Sequence, residues 1–200
     1  REILAGEGRA GFQKIFNGRD LGGWAGDVTS AEVKEGAFVW RRGQKGTIYW
    51  NETLANFQAR VLFKVPPGGN NGLAIRYPGE GTAAYSAMTE IQVLDENYEQ
   101  VRGPIDPRQV HGSAAQMVGA VRGYQFPTGE WNFQEVTVQG SRVKVELNGT
   151  VILDTDLAKV DPKKTLGKRP QTGLRRTEGF FGFAGHDDPV AFKDVYIRKL

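Results

Sequence analysis

Glu90, Gln92 and Arg76 form one group of side chains whose types and spacing suit chemistry, and His186 with Asp187 and Asp188 forms a second. In the run Glu90-Ile91-Gln92-Val93-Leu94-Asp95, strand alternation puts Glu90 and Gln92 on one face, about 6.6 Å apart, with Ile91 and Val93 on the other. In Gly72-Leu73-Ala74-Ile75-Arg76, Leu73 and Ile75 mark a core face and leave Gly72, Ala74 and Arg76 opposite. Small residues beside a cation outline a recess. Strands near in sequence commonly pair, so the pattern predicts Arg76 close to Glu90 on an open polar face where a sugar ring can sit. A plain cross-strand ion pair, worth about 0 to 1 kcal/mol, is the competing reading.

His186 follows the apolar run Gly179 to Ala184 and precedes Pro189-Val190, which places the imidazole at a strand end, where scaffolds present functional groups. An ordinary pKa of about 6.5 suits it to general acid or base work, with Asp187 or Asp188 to orient or charge it. A turn histidine bonded to backbone is the bland alternative. Asp187, Asp188 and Asp95 are also the candidates for a divalent cation, since hard cations take carboxylate oxygens. No ordered ligand spacing supports one, so the metal is left unassigned and no cofactor is required. No serine or cysteine nucleophile motif, phosphate loop or dinucleotide fingerprint is present.

The elements that must position these groups are strands. Phe57 to Val65 alternates until Pro66-Pro67-Gly68-Gly69 stops it. Val33 to Trp40 contains Gly36-Ala37-Phe38-Val39-Trp40 after a charged turn, and further strands are expected over Gly72 to Tyr77, Thr89 to Asp95, Asn132 to Gln139, Arg142 to Leu147, Gly179 to Ala184 and Val190 to Leu200. Gln139-Gly140-Ser141 and Asn148-Gly149 read as tight hairpin turns. The one helical candidate is short, near Ser113 to Val118. The stretch Asn97 to Pro127, with Tyr98, His111, Tyr124 and Phe126, is long for a loop, and reads either as one wall of a cleft or as a covering flap. Short strands between turn signals predict an all-β antiparallel sandwich as a single domain over residues 1–200.

Composition narrows the classes. Hydrophobic residues make up 39% and charged residues 24%, which is ordinary for a folded domain. The longest apolar stretches fall far below the roughly 20 residues a transmembrane helix needs. The net charge of +3 is concentrated in Lys163, Lys164, Lys168, Arg169, Arg175 and Arg176. These lie among glycine and proline without interleaved aromatics, so a solvated loop is expected and nucleic acid is not a partner. The chain contains no cysteine and begins at Arg1. A signal peptide or an expression tag already removed is the expectation, and the lack of cysteine fits a periplasmic or secreted protein as well as a cytosolic one.

Gly11-Phe12-Gln13-Lys14-Ile15-Phe16-Asn17-Gly18-Arg19-Asp20-Leu21-Gly22-Gly23-Trp24 resembles the opening of the 3-keto-disaccharide hydrolase domain family. Four later blocks match in order: Phe57 to Arg76, Met88 to Asp95, Pro127 to Asn132 with Leu147-Asn148-Gly149, and Gly179 to Leu200. The resemblance implies a concanavalin A-like sandwich of jelly-roll type and activity on 3-keto-glycosides, in bacteria that export such proteins. By position it carries over Glu90, His186 and Arg76 as catalytic candidates, and Gln92, Trp24, Asp95, Asn148 and Asp188 as sugar-binding ones. Two departures stand out. Thr89 separates Met88 from Glu90, an insertion expected to shift register locally, and Asp187 follows His186 where glycine is expected.

A ketone at C3 acidifies the proton on C2, so a base can remove it and the C1 substituent can leave by elimination. His186 or Glu90 is the expected base, with Arg76 or a cation on the enolate oxygen. An oxocarbenium route with two carboxylates is the chemical competitor. A carbohydrate-binding, lectin-like module is the competing class, since fold does not fix function.

Overall fold

The alternating runs fold as antiparallel strands in the computed structural model, which describes residues 11–200. Of the expected domain, residues 1–10, with the Arg1 start, lie outside the described residues. In chain order the strands are β1 (Gln13–Lys14), β2 (Trp24–Gly26), β3 (Ala31–Lys34), β4 (Ala37–Trp40), β5 (Lys45–Trp50), β6 (Phe57–Lys64) and β7 (Asn70–Tyr77). They continue with β8 (Thr89–Leu94), β9 (Asn132–Gln139), β10 (Arg142–Leu147), β11 (Thr150–Asp156), β12 (Phe180–His186) and β13 (Ala191–Lys199). Two short helices, α1 (Ala83–Ser86) and α2 (Tyr98–Arg102), interrupt them.

One sheet runs β11-β10-β9-β6-β13-β4-β3 with β1 added on β13, and the other runs β2-β5-β12-β7-β8. The two pack face to face as a concanavalin A-like jelly-roll sandwich, the expected class. Between them lies a core in which Phe38, Trp40, Phe57, Phe63, Phe181, Phe183 and Phe192 are fully buried. Phe183 stacks on Phe192 with centroids 4.1 Å apart. Burying each such ring contributes about 1.5–3 kcal/mol.

The turns follow local chemistry. Asn148 and Gly149 both take positive φ, 50° and 89°, the backbone that a two-residue hairpin needs. The charged turn within Val33 to Trp40 falls at Glu35 and Gly36, which at φ 51° and 74° fold β3 and β4 into a hairpin. Ser113 to Val118 is not helical. Its backbone extends the sheet edge instead: Ala115 N–H donates to the Glu90 carbonyl at 2.9 Å, and the Ser113 carbonyl accepts from Gln92 N–H at 3.0 Å. The Thr89 insertion shifts nothing against β7, which pairs with β8 in unbroken register from Asn70↔Leu94 to Ile75↔Thr89. The irregularity lies on the other flank of β7, where its pairing with β12 slips between Phe180 and Gly182.

Candidate active site on the five-stranded sheet

Ile48, Leu73, Ile75, Ile91, Val93, Phe181 and Phe183 belong to the core between the sheets. Alternation therefore turns Thr47, Tyr49, Gly72, Ala74, Glu90, Gln92, Gly182, Ala184 and His186 to the opposite face. Gly72 pairs with both Ala184 and Gln92, and Ala74 with both Gly182 and Glu90, so the middle of this face is a floor of small residues. One end is roofed by α1, whose Ala83 packs in a cluster with Ala74, Tyr77 and Ala184. What stays open is a recess of about 280 Å³ lined by Asp27, Lys45, Thr47, Thr82, Glu90 and His186 among others.

His186 Nε2 lies 3.1 Å from Glu90 Oε1. The side chains differ sharply in exposure: 40% for His186 against 3% for Glu90. The imidazole is thus the member of the pair a substrate can reach, and the carboxylate is buried behind it. A neutral ring that donates Nε2–H to Glu90 keeps its lone pair on Nδ1. Burial pushes the imidazole's pKa down, but its hydrogen bond to Glu90, the charge of that carboxylate and that of Asp187 outweigh burial and an opposing push from Lys45. The result lies above the ordinary value.

Beyond the pair the polar row continues. Gln92 Nε2 donates to Asn70 Oδ1 at 2.7 Å, Asn70 N–H donates to Asp188 Oδ2 at 3.1 Å, and Arg102 Nη2 donates to Asp188 Oδ1 at 3.0 Å. Glu90, Gln92, His186 and Asp188 therefore stand in one neighbourhood.

The other expected site residues do not join them. Arg76 is 2% exposed and spends its guanidinium on the carbonyls of Ala55, Gly140 and Arg176 and on Asn56 Oδ1. The slip beside β12 sets two residues of β7 against one, and Arg76 takes φ 53° there, so the alternation that predicted its face is broken. Trp24 is buried, stacks on Phe183 with centroids 5.4 Å apart and donates Nε1–H to the Ile15 carbonyl. It is core and offers no sugar platform. Asn148 sits in the β10–β11 turn of the other sheet, with Nδ2 donating to the Tyr124 carbonyl and to Asn132 Oδ1. Asp95 accepts from Gly68 N–H, Asn97 N–H and Thr128 Oγ1–H, which latches two loops.

The three aspartates considered for a cation have separate partners. Asp187 pairs with Lys45, Asp188 with Arg102, and Asp95 with its loops. Among the described residues no group of three or more His, Cys, Asp or Glu is gathered. His111 does not line this recess; with Tyr124 it lines a separate small cavity under the long loop. It is buried against Phe63, accepts Leu94 N–H on Nδ1 and meets Gln134 Oε1 through Nε2 at 2.8 Å. Desolvation, only partly offset by Gln134, pushes its pKa down to about 4.

Sequence reasoning passed over Asp27, Lys45, Asn70 and Arg102. Lys45-Gly46-Thr47-Ile48-Tyr49-Trp50 does alternate, so its strand and outward Lys45 and Thr47 were recoverable from that signal. Asp27, held by Thr47 N–H at 2.9 Å, has no local signature.

Two antiparallel sheets packed face to face, with a histidine–carboxylate pair in a recess on the outer face of one, define the class as a jelly-roll β-sandwich. More narrowly, the profile of the 3-keto-α-glucoside-1,2-lyase-like domain matches residues 11–198, and the chain belongs to that family. A 3-keto-disaccharide hydrolase of Bacteroides thetaiotaomicron is 25% identical over 95% of this chain and 79% of its own length. A crystal structure of a "putative glycosyl hydrolase" from Parabacteroides distasonis superposes with a TM-score of 0.80 at 25% identity, covering 95% of this chain and 94% of the other. The carbohydrate-binding module CBM66 of Bacillus subtilis shares the fold alone, with a TM-score of 0.56 at 13% identity over 90% of this chain and 97% of that module.

Proposed function

We propose that this chain cleaves 3-keto-glycosides by elimination, with His186 as the base and Glu90 as the group that orients and charges it. The observation that carries the reading is the 3.1 Å contact between a reachable imidazole and a buried carboxylate in one recess. Family membership supports this choice of substrate class. The 3-keto group matters because it alone makes the C2 proton acidic enough for an imidazole to take.

His186 Nδ1 removes the C2 proton, the electron pair forms C2=C3 and the ketone oxygen becomes an enolate. Its return expels the C1 substituent as an alcohol and leaves a C1=C2 enone. Gln92, Asn70 and Asp188 supply the neighbouring polar row for sugar hydroxyls. Incubation with 3-keto-trehalose, followed by release of glucose, tests the activity, and His186→Ala is expected to lower the rate by about a hundredfold or more. A substrate deuterated at C2 is expected to react several-fold more slowly. Turnover with no isotope effect argues for the two-carboxylate route, and binding without product reduces the chain to a carbohydrate-binding module.

A further inference from the structure

Enolate formation places a negative charge on the ketone oxygen, and the arginine that the sequence pattern offered for it is occupied by backbone carbonyls elsewhere. Among the residues lining the recess, Lys45 is the cation. It stands directly opposite His186 in the β5–β12 pairing, and its side chain is 73% exposed. Its Nζ lies 3.2 Å from Asp187 Oδ2. Asp187 holds a left-handed backbone, φ 71°, immediately after His186, a position where glycine is the undemanding choice. Strained residues of this kind cluster at functional sites. A surface ion pair gives little reason to keep a side chain there, whereas a tether that keeps an ammonium beside the base does.

We propose that Lys45 is the electrophilic catalyst of the elimination: its ammonium meets the ketone oxygen as the enolate forms, and Asp187 positions it beside His186. The proposal rests on the 3-keto reading above. In the step, the C2–H bond breaks toward His186 Nδ1, the C2=C3 bond forms, and the carbonyl π pair moves to the oxygen that Lys45 faces. When that pair returns, C1=C2 forms, C1–O breaks and the departing alkoxide takes the proton from the imidazolium. Atoms and charge balance as glycoside to enone and alcohol, with no oxidant required.

The test uses wild type, Lys45→Met, Lys45→Arg and Asp187→Asn with two substrates. One is 3-keto-trehalose, read as kcat and KM. The other is a 3-keto C-glycoside, which cannot eliminate, read as binding affinity beside its 3-hydroxy counterpart. Lys45→Met is expected to lower kcat about a hundredfold, the usual effect of removing one oxyanion donor, with a smaller change in KM. Lys45→Arg retains activity within about tenfold, and Asp187→Asn shows a lesser loss than Lys45→Met. Lys45→Met also moves the rising limb of the pH profile upward, because Lys45 opposes protonation of His186. Wild-type kcat in Lys45→Met overturns the proposal and leaves the 3-keto reading standing. If wild type cleaves no 3-keto-glycoside, that reading falls and the binding arm decides. A preference for ketone over alcohol that Lys45→Met abolishes then supports Lys45 at the ketone oxygen, and equal preference in both proteins overturns it.

Discussion

Glu90 and His186 touch across a strand that belongs to neither of them. Glu90 is on β8 and His186 on β12, with β7 between, and each step across a sheet is about 4.8 Å. Oε1 nevertheless lies 3.1 Å from Nε2. The passage is open because Gly72 stands on β7 beneath the carboxylate: a Cβ there would overlap Glu90 Oε1, Cδ and Cγ. One hydrogen atom in place of a methyl group makes the pair geometrically available.

Gly72→Ala therefore breaks the pair while leaving the strand intact, because the φ at Gly72 is not left-handed. The expected outcome is a kcat at least tenfold lower with a fall in Tm of only a few degrees, on the scale of about 1 kcal/mol. The imidazole pKa, followed by NMR, falls as well, since the carboxylate that raises it is pushed away and burial remains. Unchanged kcat and an unchanged imidazole pKa together would falsify this account of Gly72.

How much of this was readable in the chain depends on whether alternation held. Glu90, Gln92 and Ile91 sit in unbroken register, so their faces were assigned correctly from period two alone. Arg76 lies within the slip between β7 and β12, where Ile75 and Arg76 stand against Phe181 alone, and a single extra residue moves a side chain off its expected face. The strand end carrying His186 was legible, but its partner was not, because contact over an intervening glycine leaves no local pattern. Trp24, Asp95 and Asn148 show the limit of carrying roles over by position. Their side chains secure core, loop and turn, roles that would mark the same positions in a protein without the activity.

The imidazole's raised pKa fixes a pH dependence. A base must be neutral, so activity rises with pH through a value above the ordinary 6.5 of histidine. Stability runs the other way. A pKa raised by folding stabilises the protein fully below the unfolded-state value and loses that contribution as pH climbs through the folded one. Glu90→Gln removes the hydrogen-bonded charge and shifts the midpoint downward, measurable both as the kcat/KM profile and as the NMR titration of His186. A midpoint that stays in place in Glu90→Gln would assign the shift to other groups.

Arg76 is a structural residue in this reading. Its guanidinium is buried with carbonyl and amide acceptors rather than a carboxylate partner, and burial lowers its pKa without discharging it. Arg76→Ala empties a large buried site and takes the donor from the carbonyls of Ala55, Gly140 and Arg176, and is expected to cost about 3 kcal/mol or more, seen as a lower denaturation midpoint. Its folded fraction, assayed well below Tm, keeps kcat within about threefold of wild type, far less than the loss from a transition-state donor. A hundredfold drop in kcat with unaltered stability would return Arg76 to the chemistry.

His111 sets the acid limit of the fold. Its neutral ring accepts Leu94 N–H on Nδ1 and so donates Nε2–H to Gln134, and protonating Nδ1 destroys the first of these bonds inside the core. The folded-state pKa of about 4 lies below the unfolded value of 6.5, so the unfolded chain binds the proton first as pH falls. Stability is lost progressively through that window, by up to about 3 kcal/mol at about 1.36 kcal/mol per pH unit. His111→Gln gives up the stacking on Phe63 and is less stable at pH 7, yet carries no proton to take up. The difference in unfolding free energy between wild type and His111→Gln should therefore shrink by that amount between pH 7 and pH 4. Parallel pH curves for the two proteins would show that another group governs acid unfolding.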